Sequence, residues 1–256
     1  MMAIFGAMLW KEWLELKRSY KLIIVPFAFA IIMVTLPITM KLLPTLIQQD
    51  LPEGTVLVVP ESTANDIVSG IYANFEQLGL IVLILVMMGT IASEREKGSA
   101  ALVLSKPIGR GSYLLAKWTA YSLLSVVSFL FGMALTVYYT RILFVGHMEW
   151  GAIIKGTLLY LVLILLCVTL TLLFSSIMKN AVFAGFISFG SYLALTKLGQ
   201  YLPEAMEKYT PYGYIDSAAK VIAGQEGAIM TPLLVLLILI AIVLGCAILL
   251  FKKEEI

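Results

Sequence analysis

Charge is what this sequence has least of. Only 13% of its 256 residues are charged while 61% are hydrophobic, against about 25% charged in a soluble domain. That shortage excludes a globule covered by water. Histidine occurs once, at His147, and cysteine twice, at Cys167 and Cys246. Both cysteines fall inside apolar runs and read as small buried apolar residues, so neither a disulfide framework nor a metal cluster is expected. The net charge is +2, too small to imply nucleic acid as a partner. The apolar–polar alternation of a β-barrel is missing. So are GxxxxGK[ST], HExxH and GxSxG, and no pair of carboxylates lies inside an apolar run. The chain is therefore not expected to hold ATP or to carry hydrolytic chemistry of its own.

What is present is a set of apolar runs of about 18–25 residues, the length that crosses a bilayer as a helix. Six are legible: Leu22–Met40, Phe75–Ala92, Ser112–Val137, Ala152–Phe174, Val182–Leu198 and Pro232–Phe251. Helices satisfy their own backbone in lipid, so the expected fold is all-α, one domain over residues 1–256, with six transmembrane helices. Residues 41–74 read as a polar connection, with Thr55–Val59 as a possible short strand. Residues 199–230 read as short outer helices around PEAMEKY and IDSAAKVIAG.

Residues 3–20 are read as an amphipathic helix lying in the membrane interface. Ile4, Phe5, Met8, Leu9, Trp13 and Leu16 recur at helical spacing, with Trp10 and Trp13 at headgroup depth and Lys11, Glu12, Glu15 and Arg18 towards the other side. Six charged residues among the first 21 argue against a cleavable signal peptide. Six spans put both termini on one face. Lys11, Lys17, Arg18, Lys21, Arg95, Lys97, Lys106, Arg110, Lys117, Lys179, Lys252 and Lys253 fall on that face, against Lys41, Arg141, Lys155, Lys197, Lys208 and Lys220 on the other. The positive-inside rule makes the first face cytoplasmic.

Ionisable groups near the spans are few. Glu76, Lys117, Lys155 and Lys197 lie near span ends and read as snorkelling side chains, with a substrate pathway as the sharper alternative. His147 reads as a solvated histidine beside Glu149. The small residues Gly185, Ser188, Gly190 and Ser191 in the fifth run allow close helix approach. They serve either packing within the chain or a face on a dimer interface or path.

Ser93 to Lys117 is a charged, Gly- and Pro-punctuated segment between two long apolar runs. Glu94, Arg95, Glu96 and Lys97 close the second span, and Gly98 and Ser99 follow. Leu102, Val103 and Leu104 then offer a short apolar helix that Pro107 ends, before Arg110 opens the third span. An apolar helix held under a membrane suits insertion into a groove of a soluble partner.

This segment resembles the signature EREKGT-x-E-x-LLS-x-P-[IV]-[ST]-R of ABC-2 type transporter permeases. Ser99 stands where threonine is usual, and Ala101 where an acidic residue is common. The likeness extends to the N-terminal helix, the six spans and the outer helices between spans five and six. It implies a transmembrane subunit of an ABC exporter in a prokaryotic plasma membrane, with both termini cytoplasmic. It implies that the coupling helix between spans two and three docks on a separate ABC ATPase, present in two copies, which binds ATP and Mg. It also implies a second permease copy or a sister permease. The coupling contacts fall on Glu94, Arg95, Glu96, Gly98, Ser99, Leu102, Val103, Leu104, Pro107 and Arg110. The mostly apolar spans favour an amphipathic or lipid-like cargo, or a peptide antibiotic. Readings from other classes are a membrane-embedded protease or lipid-modifying enzyme, which needs polar groups at mid-span, and a membrane anchor that does not transport.

Overall fold

The computed structural model describes residues 2–49, 64–96, 98, 109–144, 148–223, 225 and 229–253. Among them all regular structure is helical. Helix α1 spans Met2–Arg18, α2 Lys21–Gln49, α3 Ala64–Met87, α4 Ala92–Glu96, α5 Arg110–Leu143, α6 Trp150–Ile177 and α7 Ala181–Lys197. A 3-10 turn over Leu198–Tyr201, short α8 (Glu204–Glu207), α9 (Pro211–Ile222) and α10 (Met230–Lys253) complete the order. Six segments are long and apolar enough to cross a membrane: Lys21–Pro44, Gly70–Glu96, Arg110–Leu143, Trp150–Ile177, Ala181–Tyr201 and Met230–Lys253.

The six expected spans are present, but the connections between them differ from the sequence reading. Residues 41–74 do not form an irregular link at either end, because α2 continues through Pro44 to Gln49 and α3 starts at Ala64. Leu42, Leu43, Leu46 and Ile47 continue the apolar run past Met40, and the helix continues with it. Pro26, Pro37 and Pro44 all lie inside α2. Residues 55–59 lie outside the described part. The second span is not one helix to Ala92. It ends at Met87, turns, and resumes as α4.

Hydrophobic burial does not hold helices together in lipid; close packing does. The core is a relay of rings across four spans. Phe29 of α2 meets Phe75 of α3 edge-on at 4.7 Å, and Phe75 meets Phe129 of α5 at 4.8 Å. Tyr160 of α6 stacks on Tyr72 at 4.7 Å and on Phe129 at 6.3 Å. Helices α2 and α5 come close at Gly132, where a side-chain carbon would lie 2.7 Å from the Met33 sulfur and 3.4 Å from the Phe29 backbone. Buried hydroxyls fold back on their own helices: Ser125, Ser128, Thr136, Thr171, Ser188 and Thr196 each donate to the carbonyl four residues earlier. Between helices, the Trp118 indole donates to Thr169 at 2.9 Å and the Tyr72 hydroxyl to the Ile153 carbonyl at 3.0 Å.

The outer helix α9 is seated by Tyr214, whose hydroxyl donates to the Leu159 carbonyl of α6 at 2.8 Å. Thr210 caps its first turn by accepting from the Gly213 amide at 3.1 Å. A side-chain carbon on Gly213 would lie 2.2 Å from the Glu207 carbonyl oxygen, a backbone atom that cannot swing away. Gly213→Ala is therefore expected to destabilise the protein by about 1–3 kcal/mol, the usual range for overpacking. Thermal unfolding in detergent reads this as a lower midpoint.

Candidate functional site

Helix α1 presents Met8, Glu12 and Leu16 inwards, at steps of four residues, with 5%, 1% and 1% of their surface exposed. Such a stripe is one helix face. The sequence reading set Glu12 on the polar side, but it is buried in the middle of this face. Lys117, read as a snorkelling side chain, is also overturned: it is fully buried. The two corrections have one cause. Lys117 lies near the start of α5, its Nζ 3.0 Å from a Glu12 oxygen and 2.8 Å from a Glu94 oxygen. The ammonium draws Glu12 inwards and satisfies Glu94 of α4 at once.

The remaining members complete the cluster. Tyr113, fully buried one turn before Lys117, donates its hydroxyl to Glu94 and stacks on Phe251 of α10. Lys11 lies 2.9 Å from Glu12, 2.8 Å from Glu15 and 3.2 Å from Glu94. Burial pushes the Lys11 ammonium down, but those carboxylates outweigh it and hold its pKa above the ordinary lysine value. Three carboxylates that lie close enough to share a cation are thus gathered around two ammonium groups of the chain itself.

Around this centre the ends of the spans are tied by backbone contacts. Arg95 donates to the carbonyls of Ser176 and Ile177, where α6 stops, at 2.8 and 3.5 Å. Arg110 does the same to Phe251 and Lys252 at the end of α10, at 3.4 and 2.8 Å. Ser175 of α6 accepts from the amides of Ile91 and Ala92 at 3.0 and 3.2 Å and donates to the Met88 carbonyl at 2.8 Å. One hydroxyl therefore serves the break between α3 and α4, where the helix ladder is interrupted. Helices α1, α5 and α6 all reach this helix end.

The residues expected for coupling are placed in part. Glu94, Arg95 and Glu96 form α4, Gly98 takes a left-handed φ of 71°, and Arg110 opens α5. Ser99, Leu102, Val103, Leu104 and Pro107 lie outside the described residues, as does His147. On α1, Trp10 and Trp13 stand exposed and Leu16 is buried. On α7, Gly185 and Ser188 are buried, Ser191 is half-buried and Gly190 is exposed, so these four do not share one face. Lys155 is exposed, and Lys197 pairs with Glu76 at 2.9 Å across spans two and five.

The fold defines a class: a six-span helical membrane protein whose N-terminal helix and second and third spans are joined by buried charge at one end. Residues 7–256 match the family described as ABC-2 family transporter protein, and the chain belongs to that family. The family forms the membrane component of transporters, is not itself catalytic, and normally works with an ABC ATPase partner. The chain is also similar to the uncharacterized transmembrane protein YxlG of Bacillus subtilis (strain 168), with 34% identity over 145 residues. That match spans 56% of this chain and 56% of the relative, so the chain covers about half the length of the curated relative it matches.

Proposed function

We propose that this chain is the permease subunit of an ATP-driven exporter, coupled to a separate ATPase through residues 94–110 and α1. The charged end lies in the cytoplasm. Two permease subunits, identical or sister chains, form the path, and two ATPase subunits beneath them bind ATP and Mg. The cargo is an amphipathic or lipid-like compound or a peptide antibiotic. The observation that carries the reading is the buried cluster of Glu12, Glu94, Lys117 and Tyr113, which ties α1, α4 and α5 together. A force applied to the segment after span two would reach α1 and span three without slack, the condition for a rigid-body switch between two packings. Glu94 and Arg95 anchor the near end of the coupling segment, and Leu102, Val103 and Leu104 supply the apolar contact with the ATPase.

The test is co-expression with a partner ATPase and reconstitution in vesicles. Leu104→Asp is expected to abolish coupled ATP hydrolysis while the protein still inserts in the membrane. Normal transport by that variant sinks the coupling assignment. Cargo-stimulated ATP hydrolysis by the wild type separates a transporter from an anchor.

A further inference from the structure

Two hollows meet on the outside of the bundle next to the charged cluster. The first is a cleft of about 670 Å³ where α1 turns into α2, lined on its polar side by Lys11, Glu15, Ser19, Lys21, Ser93 and Glu94, the last already held by Lys117 and Tyr113. The second is a groove of about 410 Å³ between α3 and α7, lined only by apolar side chains and Gly185, with Phe186 and Phe189 along one wall. They share Leu85 and Met88, and Ala181 of the cleft directly precedes Val182 of the groove. Together they make one channel, charged at one end and apolar along the rest.

The polar end is not saturated. Lys21 donates to the Tyr121 hydroxyl at 2.8 Å, and among the described residues no carboxylate pairs with it. Glu15 pairs with Lys11 through one oxygen, at 2.8 Å, and its side chain is 42% exposed. The cleft therefore offers a cation for an anionic group and a carboxylate oxygen for a cationic one. It sits at the start of the first span, beside the exposed Trp10 on α1, at the depth where headgroups lie.

We propose that this channel binds one phospholipid of the surrounding leaflet with a zwitterionic, amine-bearing head. The phosphate sits on Lys21, the amine on Glu15, and one acyl chain runs past Leu85 and Met88 into the groove. The ammonium of Lys21, held against Tyr121 at its hydroxyl and over its ring but with no carboxylate partner among the described residues, favours an occupant that brings an anionic group to this end of an otherwise apolar groove. The site is independent of the transport reading, because occupancy needs neither ATP nor a partner.

Native mass spectrometry of the full chain in detergent, with equal amounts of phosphatidylethanolamine and phosphatidylglycerol added, tests it. The wild type should retain one phosphatidylethanolamine in preference to phosphatidylglycerol. Lys21→Gln should weaken retention at least about tenfold, the scale of one charge-assisted hydrogen bond, and Lys21→Arg should restore it. Glu15→Gln, on a partly exposed side chain, should abolish the preference between the two lipids. It serves as the second arm if Lys21→Gln folds poorly. Glycerophosphoethanolamine, the head without chains, should not displace the lipid. Equal retention of both lipids by the wild type, unchanged retention in Lys21→Gln, displacement by the bare head, or a lipid-free dimer closed over Phe186 would each overturn the proposal.

Discussion

Replacing Lys117 by methionine should cost the protein about 3–5 kcal/mol, the range for removing one partner of a buried ion pair. The ammonium is fully buried and touches Glu12 and Glu94 from two different helices. Without it, among the described residues Glu12 keeps only the half-exposed Lys11, and Glu94 loses its 2.8 Å contact with the ammonium. A carboxylate in that position either takes up a proton or swings out, and α1 comes loose in either case. Loss of midpoint in thermal unfolding reads the cost. Lys117→Arg keeps the charge but demands a planar fork where a compact ammonium fits, so partial recovery is expected. The informative variant is the triple change Glu12→Gln, Glu94→Gln, Lys117→Met. Replacing a whole buried ion cluster is often close to neutral for stability, so the fold should return while coupling stays lost, because neutral contacts no longer fix how α1 meets α4 and α5. A wild-type midpoint in Lys117→Met would show that the cluster does not hold this end of the bundle.

The fold was legible because apolar run length is a local property. Val182–Leu198 and Pro232–Phe251 fall almost on α7 and α10. Helix ends were read less well: α2 runs nine residues past Met40, to Gln49, because Lys41 and Pro44 look like a boundary while Leu42, Leu43, Leu46 and Ile47 carry the apolar run on. The site was legible in half. Glu94, Arg95 and Arg110 stand out as charges at the edges of apolar runs, and the signature around them is local. Their partners are not local. Lys117 bonds Glu12 across 105 residues, and a lysine near the start of an apolar run looks the same whether it reaches for water or for a buried carboxylate. A faint signal existed on α1, where Glu12 falls midway between Met8 and Leu16 at steps of four. A glutamate on an apolar stripe demands a buried cation, and Lys117 was available. Ser175 carried no signal, since its value comes from a helix break in another span.

That serine sets the second large effect. Its hydroxyl is fully buried and makes three hydrogen bonds, two to amides and one to a carbonyl, all on the turn between α3 and α4. Ser175→Ala leaves the Ile91 and Ala92 amides and the Met88 carbonyl to find other partners where there is no water. An unsatisfied buried donor costs about 1–3 kcal/mol, so a loss of about 2 kcal/mol or more is expected even if one group re-pairs. The functional consequence should exceed the loss of stability. Helix α4 carries both Glu94 and Arg95, and its start is positioned by this hydroxyl. With Ser175 gone, Arg95 still reaches the end of α6 and Glu94 still reaches Lys117, but the start of α4 loses the hydroxyl that holds its backbone. Force from the coupling segment would then be absorbed by the turn before it reached span three. Amide hydrogen exchange over residues 88–96 should quicken in Ser175→Ala, and ATP hydrolysis by the assembled transporter should fall while partner binding persists. Ser175→Cys, close in size and weaker as donor and acceptor, should fall between. If exchange at Ile91 and Ala92 is unchanged in Ser175→Ala, the turn is held by something other than this hydroxyl, and α4 is not the rigid element that transmission requires.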